Sequence, residues 1–198
     1  MIIDQHLIFD KTLSALTAPE FLILHHEAAP SASVEQVHNY HKGKGWGGIA
    51  YHLYVRKDGT VYRGRPIDKR GAHTSGYNYK SVGICCEGNF ETEKMTARQY
   101  EALCEAIAYV QSVYPGLKIA GHRELCATAC PGKYFPLEEV KRAMARMKTI
   151  SDVPASLRKE TQELIDAGAL KGNESGLDVT EDMLRSMIVM KRYIDAKK

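Results

Sequence analysis

The sequence predicts an α/β domain followed by a small helical module. Three observations carry this reading. Short apolar runs such as Phe21-Leu22-Ile23-Leu24 have the length of buried strands. They alternate with segments of helical spacing, two of which open on capping boxes. After about residue 148 the strand signals stop, and two further helical patterns close the chain.

The first strand ends abruptly in His25-His26 and so delivers histidines at its C-terminal end. Ser33, with Gln36 three residues on, opens a helix with Val34, Val37 and Tyr40 at apolar spacing, which fails at Gly43 and Gly45. Residues 49–62 read as a hairpin: 50–55 is β-prone, Asp58-Gly59 is a turn pair, and Thr60-Val61-Tyr62 leads back. The stretch 64–80, rich in Gly, Asn, Tyr and charge, reads as a long surface loop, and Ser81–Cys86 as another buried strand. Thr96 and Gln99 form a second capping box, opening a helix that carries Tyr100, Leu103, Cys104, Ile107 and Val110 and stops at Pro115-Gly116. Ile119-Ala120 is a short strand, and a third helix runs over about 136–147 with proline in its first turn. The expected organisation is one domain over 1–148, a linker at 149–154 and a helical module at 155–198. Helical patterns at 157–167 and 180–196 flank a turn-rich stretch, 168–176, and Met183, Met187, Met190 and Ile194 share one face of the last helix.

The chain has 198 residues, 44% of them hydrophobic, enough to build a real core. A net charge of +3 is too mild to argue for nucleic acid. The first twenty residues lack a basic leader and are broken by Asp4, Asp10 and Lys11, so they do not read as a signal peptide. No apolar run approaches the roughly 18 residues of a membrane span. The expectation is a protein made and first held in the cytoplasm, contacting neither nucleic acid nor membrane. Five cysteines in a chain born reduced argue against a disulfide scaffold.

The stretch GHRELCATACPG, 121–132, puts His122, Cys126 and Cys130 in one irregular loop. Metal binding, a disulfide and plain packing are all open to it. His25 sits at one strand end, His122 follows a second strand, and Cys130 lies in a loop stiffened by Pro131-Gly132. Two imidazoles and a thiolate suit zinc, and three protein ligands leave a fourth position for water. Such a zinc lowers the pKa of its water towards neutrality and polarises a carbonyl. Adding Cys126 would instead close a structural site. His26 points the other way along the strand, to packing or to support of the site.

Four motifs occur here in linked order: FLILHHEAA, GWGGIAYHLYVRKDGTVYRGRP, GAHTSGYNYKSVGICCEGNF and GHRELCATACPG. Over about residues 20–145 they resemble the zinc-dependent N-acetylmuramoyl-L-alanine amidases of the phage-lysozyme and peptidoglycan-recognition-protein family. The resemblance implies a mixed central β-sheet flanked by about three helices, with Zn2+ held by His25, His122 and Cys130. It implies hydrolysis of the amide between the lactyl group of N-acetylmuramic acid and L-alanine in peptidoglycan, by zinc-activated water. Tyr51 matches the family's catalytic tyrosine. Thr128 stands where phage-type members carry lysine and many recognition proteins carry threonine, which leaves the second electrostatic contact open. The strand position that is acidic in the muropeptide-recycling branch is Cys85 here; Glu87, two residues on and so on the same side of the strand, is a weaker candidate for that assisting role and reads first as a structural carboxylate. By the same resemblance His41, His73 and Asn78 line the groove and hold substrate, with Tyr77 and Tyr79 offering aromatic faces. Trp46 reads as a packing residue beneath its turn.

Alternatives stay open: a cytoplasmic muropeptide-recycling amidase, a non-catalytic peptidoglycan recognition protein, or a redox-regulated zinc protein. The tail is similar to helical modules that end some endolysins of phages infecting Gram-positive bacteria. It implies a phage or prophage endolysin that waits in the host cytoplasm until a holin opens the way to the wall. The module would bind wall polymer or pair with a second copy of the chain.

Overall fold

The computed structural model describes residues 2–145, 153, 155–171, 177 and 179–195, with the side chains of 181, 182, 186, 190, 193 and 194 outside the description. All of the expected linker except Val153, residues 172–176 of the turn-rich stretch, and the Met190 and Ile194 side chains therefore lie outside what is described. The described residues form two compact units, Met1–Leu137 and Glu138–Lys198.

The first unit is built on β1 (Ile2–Ile3), β2 (Phe21–His26), β3 (Leu53–Val55), β4 (Val61–Arg63), β5 (Ser81–Cys86) and β6 (Lys118–Gly121). They form one mixed sheet in the order β1-β4-β3-β5-β2-β6. β2 runs parallel to both β5 and β6, β3 is parallel to β5, and β3 and β4 form the expected antiparallel hairpin. The central strands are near-continuous apolar runs because a parallel sheet is covered on both faces. Leu22, Ile23 and Leu24 are wholly buried, each contributing about 1.5–3 kcal/mol by leaving water.

One face packs under α1 (Val34–Gly43), where Val34 and Val37 meet Ile49, Tyr54 and Cys85. Both halves of its capping box form: Ser33 Oγ accepts from Gln36 N, and Gln36 Oε1 accepts from Ser33 N. The helix α2 (Ala97–Val113) packs on β3 and β5. Its cap is only half the predicted box. Thr96 Oγ1 accepts from Gln99 N, but the buried Gln99 amide donates to Val55 O and Glu87 O, tying α2 to two strand ends.

Two further readings need correction, and one strand went unread. The strand begins at Leu53, so Tyr51 lies on irregular chain entering it. The stretch 64–80 is irregular but not wholly superficial, since Gly64, Arg65, Gly71, His73 and Thr74 are buried. β1 carries no periodicity to read because it is two residues long.

In the second unit, α4 (Arg158–Asp166) and α5 (Glu181–Asp195) enclose a core of Val153, Leu157, Leu164, Leu170, Val179, Leu184 and Ile188. Met187 packs on that core, whereas Met183 is 48% exposed. The boundary between the units falls at the start of α3 (Leu137–Met144). No helix among the described residues is long and apolar enough to cross a membrane.

Candidate metal centre and groove

Parallel strands bring their carboxyl ends to one rim, and sites in such sheets form outside those ends. His25 is the fifth residue of β2, and His122 follows directly on the last residue of the adjacent β6. Cys130 is carried back to them by a pinned loop. Arg123 N donates to Cys130 O at 2.7 Å, and the Arg123 guanidinium donates to Gly132 O at 2.8 Å. Glu124 accepts from Gly121 N, closing a short helical turn over His122–Glu124. Gly132 has φ of +102°, and a Cβ there would lie 2.5 Å from the Phe90 carbonyl carbon. That explains the glycine ending the loop.

The ligand atoms of His25, His122 and Cys130 lie within 4.8 Å of one another, so the three residues could hold a metal ion. Cys130 Sγ is 3.6 Å from His25 Nδ1. Cys126 is not in this group, and its thiol is directed at Ser75 O. Burial, then the neighbouring imidazoles of His73 and His122, hold His25 well below the ordinary histidine range. Burial also lowers His122. Both rings are therefore neutral near pH 7, as metal ligation requires. Burial pushes the Cys130 thiol up to about 12, so without a cation it keeps its proton.

Tyr51 stands beside the cluster, its ring centroid 5.2 Å from that of His25. Burial, then Cys85, Glu27 and Cys130, push its phenol well above the ordinary range. It remains a proton donor at any physiological pH. Behind it the Cys85 thiol reaches Glu27 Oε2 at 3.8 Å, and burial raises Glu27 to about 7. Thr128 lines the groove; its hydroxyl accepts from Cys130 N and keeps its own proton for another partner.

The other expected contacts separate. His73 lines the groove, but its ring nitrogens face protein groups: Nδ1 is 2.9 Å from His25 Nε2. Asn78 Oδ1 accepts from His73 N and Thr74 N, bracing the loop from within. His41 Nδ1 accepts from Ala50 N, and its ring lies 4.8 Å from that of Trp46. Neither Asn78 nor His41 is on the groove wall. Trp46 is: it is 45% exposed and not beneath its turn. Arg65 holds it there, donating to Trp46 O, Ile49 O and Arg70 O. His26, as alternation required, turns away and accepts from Phe90 N, although its edge still meets the groove.

Glu87 is structural, as expected. It accepts from Arg56 twice, from Lys57 N, Ser31 Oγ and Ala32 N. The His25–His73 contact was missed by sequence reasoning. Its trace was a glycine inside a buried strand, Gly83, where a Cβ would lie 2.7 Å from His73 ring atoms.

This geometry agrees with comparison to known proteins. Residues 15–133 match the N-acetylmuramoyl-L-alanine amidase family. The endolysin of Enterobacteria phage K11 is 34% identical over 110 residues, 53% of this chain and 73% of that protein. Peptidoglycan-recognition protein SC2 of Drosophila melanogaster is 35% identical over 125 residues, 57% of this chain and 67% of that protein. Among solved structures, the endolysin amidase LysCS of Clostridium intestinale URNW superposes with a TM-score of 0.69 at 36% identity, covering 71% of this chain and 93% of that one. The chain belongs to the N-acetylmuramoyl-L-alanine amidase family.

Proposed function

We propose that the protein is a zinc-dependent N-acetylmuramoyl-L-alanine amidase that cuts peptidoglycan between the lactyl group of muramic acid and L-alanine, acting as an endolysin. The convergence of His25, His122 and Cys130 at the rim of the sheet carries this reading. Zinc bonds of about 2.05 Å to nitrogen and about 2.3 Å to sulfur, at the tetrahedral angle, separate the two donors by about 3.6 Å. His25 Nδ1 and Cys130 Sγ are 3.6 Å apart, which fits that pair, and all three donors lie within 4.8 Å of one another. When bound there, zinc would supply Lewis acidity towards the amide carbonyl and acidify a water.

The chain's own groups do the rest. The Tyr51 hydroxyl, kept protonated by burial, donates to the amide oxygen as negative charge grows on it. Thr128 offers a second, uncharged donor on the groove wall. Trp46 gives the groove an aromatic wall for a sugar face. Asn78 and His41 hold the loops that shape this wall through the hydrogen bonds given above. Phage endolysins among the relatives favour wall lysis over muropeptide recycling. A full ligand set with Tyr51 favours catalysis over recognition alone. In this reading a holin releases the protein to the wall, and the helical unit binds wall polymer or a second copy.

Digestion of purified peptidoglycan tests this. New L-alanine amino termini should appear, vanish with chelator and return with zinc. New reducing sugar ends would replace the mechanism with a glycosidase. Retention on the wall without new ends would leave a recognition module.

A further inference from the structure

We infer that His73 is a positioning residue that fixes the tautomer of His25, so that Nδ1 of His25 is the nitrogen presented to the metal. The inference deepens the zinc reading and rests on it for its metal-binding consequence.

The argument is an accounting of protons. Ser81 Oγ donates its proton to Tyr77 O at 2.8 Å. Towards His73 Nε2, 3.5 Å away, it therefore offers only lone pairs. Nε2 of His73 carries the hydrogen, and its Nδ1 is a bare acceptor. That acceptor lies 2.9 Å from His25 Nε2, which must then be the protonated nitrogen of His25. The lone pair of His25 is left on Nδ1, the atom facing Cys130 Sγ. Thr74 Oγ1, 3.0 Å from His73 Nδ1 and 3.4 Å from His25 Nε2, fits the same pattern by accepting from one ring and donating to the other. The opposite assignment would point bare Nε2 of His73 at the lone pairs of Ser81 Oγ.

Metal-bound histidines ordinarily hand their other N–H to a carboxylate, a carbonyl or water. Here the acceptor is a neutral imidazole in a purpose-shaped slot. A Cβ at Gly71 would lie 2.4 Å from His73 Cδ2, and one at Gly83 would lie 2.7 Å from it. The ring of His52 closes the slot edge-on at 5.7 Å. His52 is itself locked, donating to Lys69 O and accepting from Gly83 N. Two glycines and a locked ring hold His73 against one atom, which a groove contact for sugar would not need. An uncharged acceptor also leaves Cys130 as the one anionic ligand of the set.

The test has two arms. In zinc-free wild-type protein labelled with 15N-histidine, long-range proton–nitrogen spectra at pH 7 should report Nε2–H for both His25 and His73. Zinc affinity, measured by competition with a chromophoric chelator, should fall about 10- to 100-fold in His73→Leu, and His73→Gln should regain most of it because its amide oxygen still accepts. A His25 carrying its proton on Nδ1 would overturn the inference, as would a folded His73→Leu that binds zinc within about twofold of wild type. If His73→Leu fails to fold, the spectra of the wild type and the affinity of His73→Gln decide. A wild type that shows the expected tautomers but binds no zinc would sink the zinc reading and leave the positioning role standing.

Discussion

Replacing Glu87 with Gln should destabilise the first unit by an amount that depends on pH. The carboxylate is 2% exposed and lies between the end of β5 and the segment leading into α1. Burial alone would raise its pKa. The Arg56 guanidinium, with Lys57 N and Ser31 Oγ, outweighs burial and brings it from 4.5 to about 2. A folded pKa below the unfolded one means that the unfolded chain binds the proton more readily. The stabilisation is then complete above the unfolded value and lost as pH falls through the folded one. A shift of this size corresponds to about 3 kcal/mol, to order of magnitude. Urea titrations of wild type and Glu87→Gln, followed by the chain's single tryptophan, Trp46, would measure it. The two proteins should differ by about 2–3 kcal/mol at pH 7 and converge towards pH 2. Glu87 is spent on structure, so folded Glu87→Gln should keep its amidase rate. A stability difference that does not change with pH would refute the electrostatic account, and a lost rate in a folded variant would make Glu87 part of the chemistry.

Three further outcomes are expected. In the proposed mechanism Tyr51→Phe removes one donor to the developing oxyanion, and it should lower kcat about 10²- to 10³-fold with zinc content unchanged, read by turnover and metal analysis together. Gly83→Ala puts a methyl group 2.7 Å from the His73 ring; by overpacking it should cost about 1–3 kcal/mol in urea and weaken zinc binding as well. Leu184→Ala opens a hole in the core of the helical unit and should cost that unit about 2–5 kcal/mol. Helix circular dichroism should report this loss while the Trp46 transition of the first unit stays in place.

The grouping of His25, His122 and Cys130 was legible because each sits where a local pattern ends. His25 closes an apolar run, His122 follows a short strand, and Cys130 precedes a Pro-Gly pair. Adjacent parallel strands then do the converging, so linear motifs are nearly enough. The Ser33 cap was legible for a similar reason, both partners lying within one turn. The same motif at Thr96 was only half right because Gln99 had buried carbonyls of β3 and of the residue after β5 within reach. A partner forty-four residues distant leaves no mark in a local pattern.

The loop at 64–80 gives the sharper lesson. Its glycines and polar residues have the composition of exposed chain, yet Gly71 marks a place where a ring must fit. Gly83, in a strand otherwise apolar, serves the same ring from the other side. Composition counts glycine as flexibility, whereas here it records volume taken by a neighbour. Here Gly71 and Gly83, on either side of His73 in the chain, both mark the space its ring fills. On this sheet that imidazole reaches His25, so a surface-loop reading of 64–80 hides a residue in contact with the candidate metal centre.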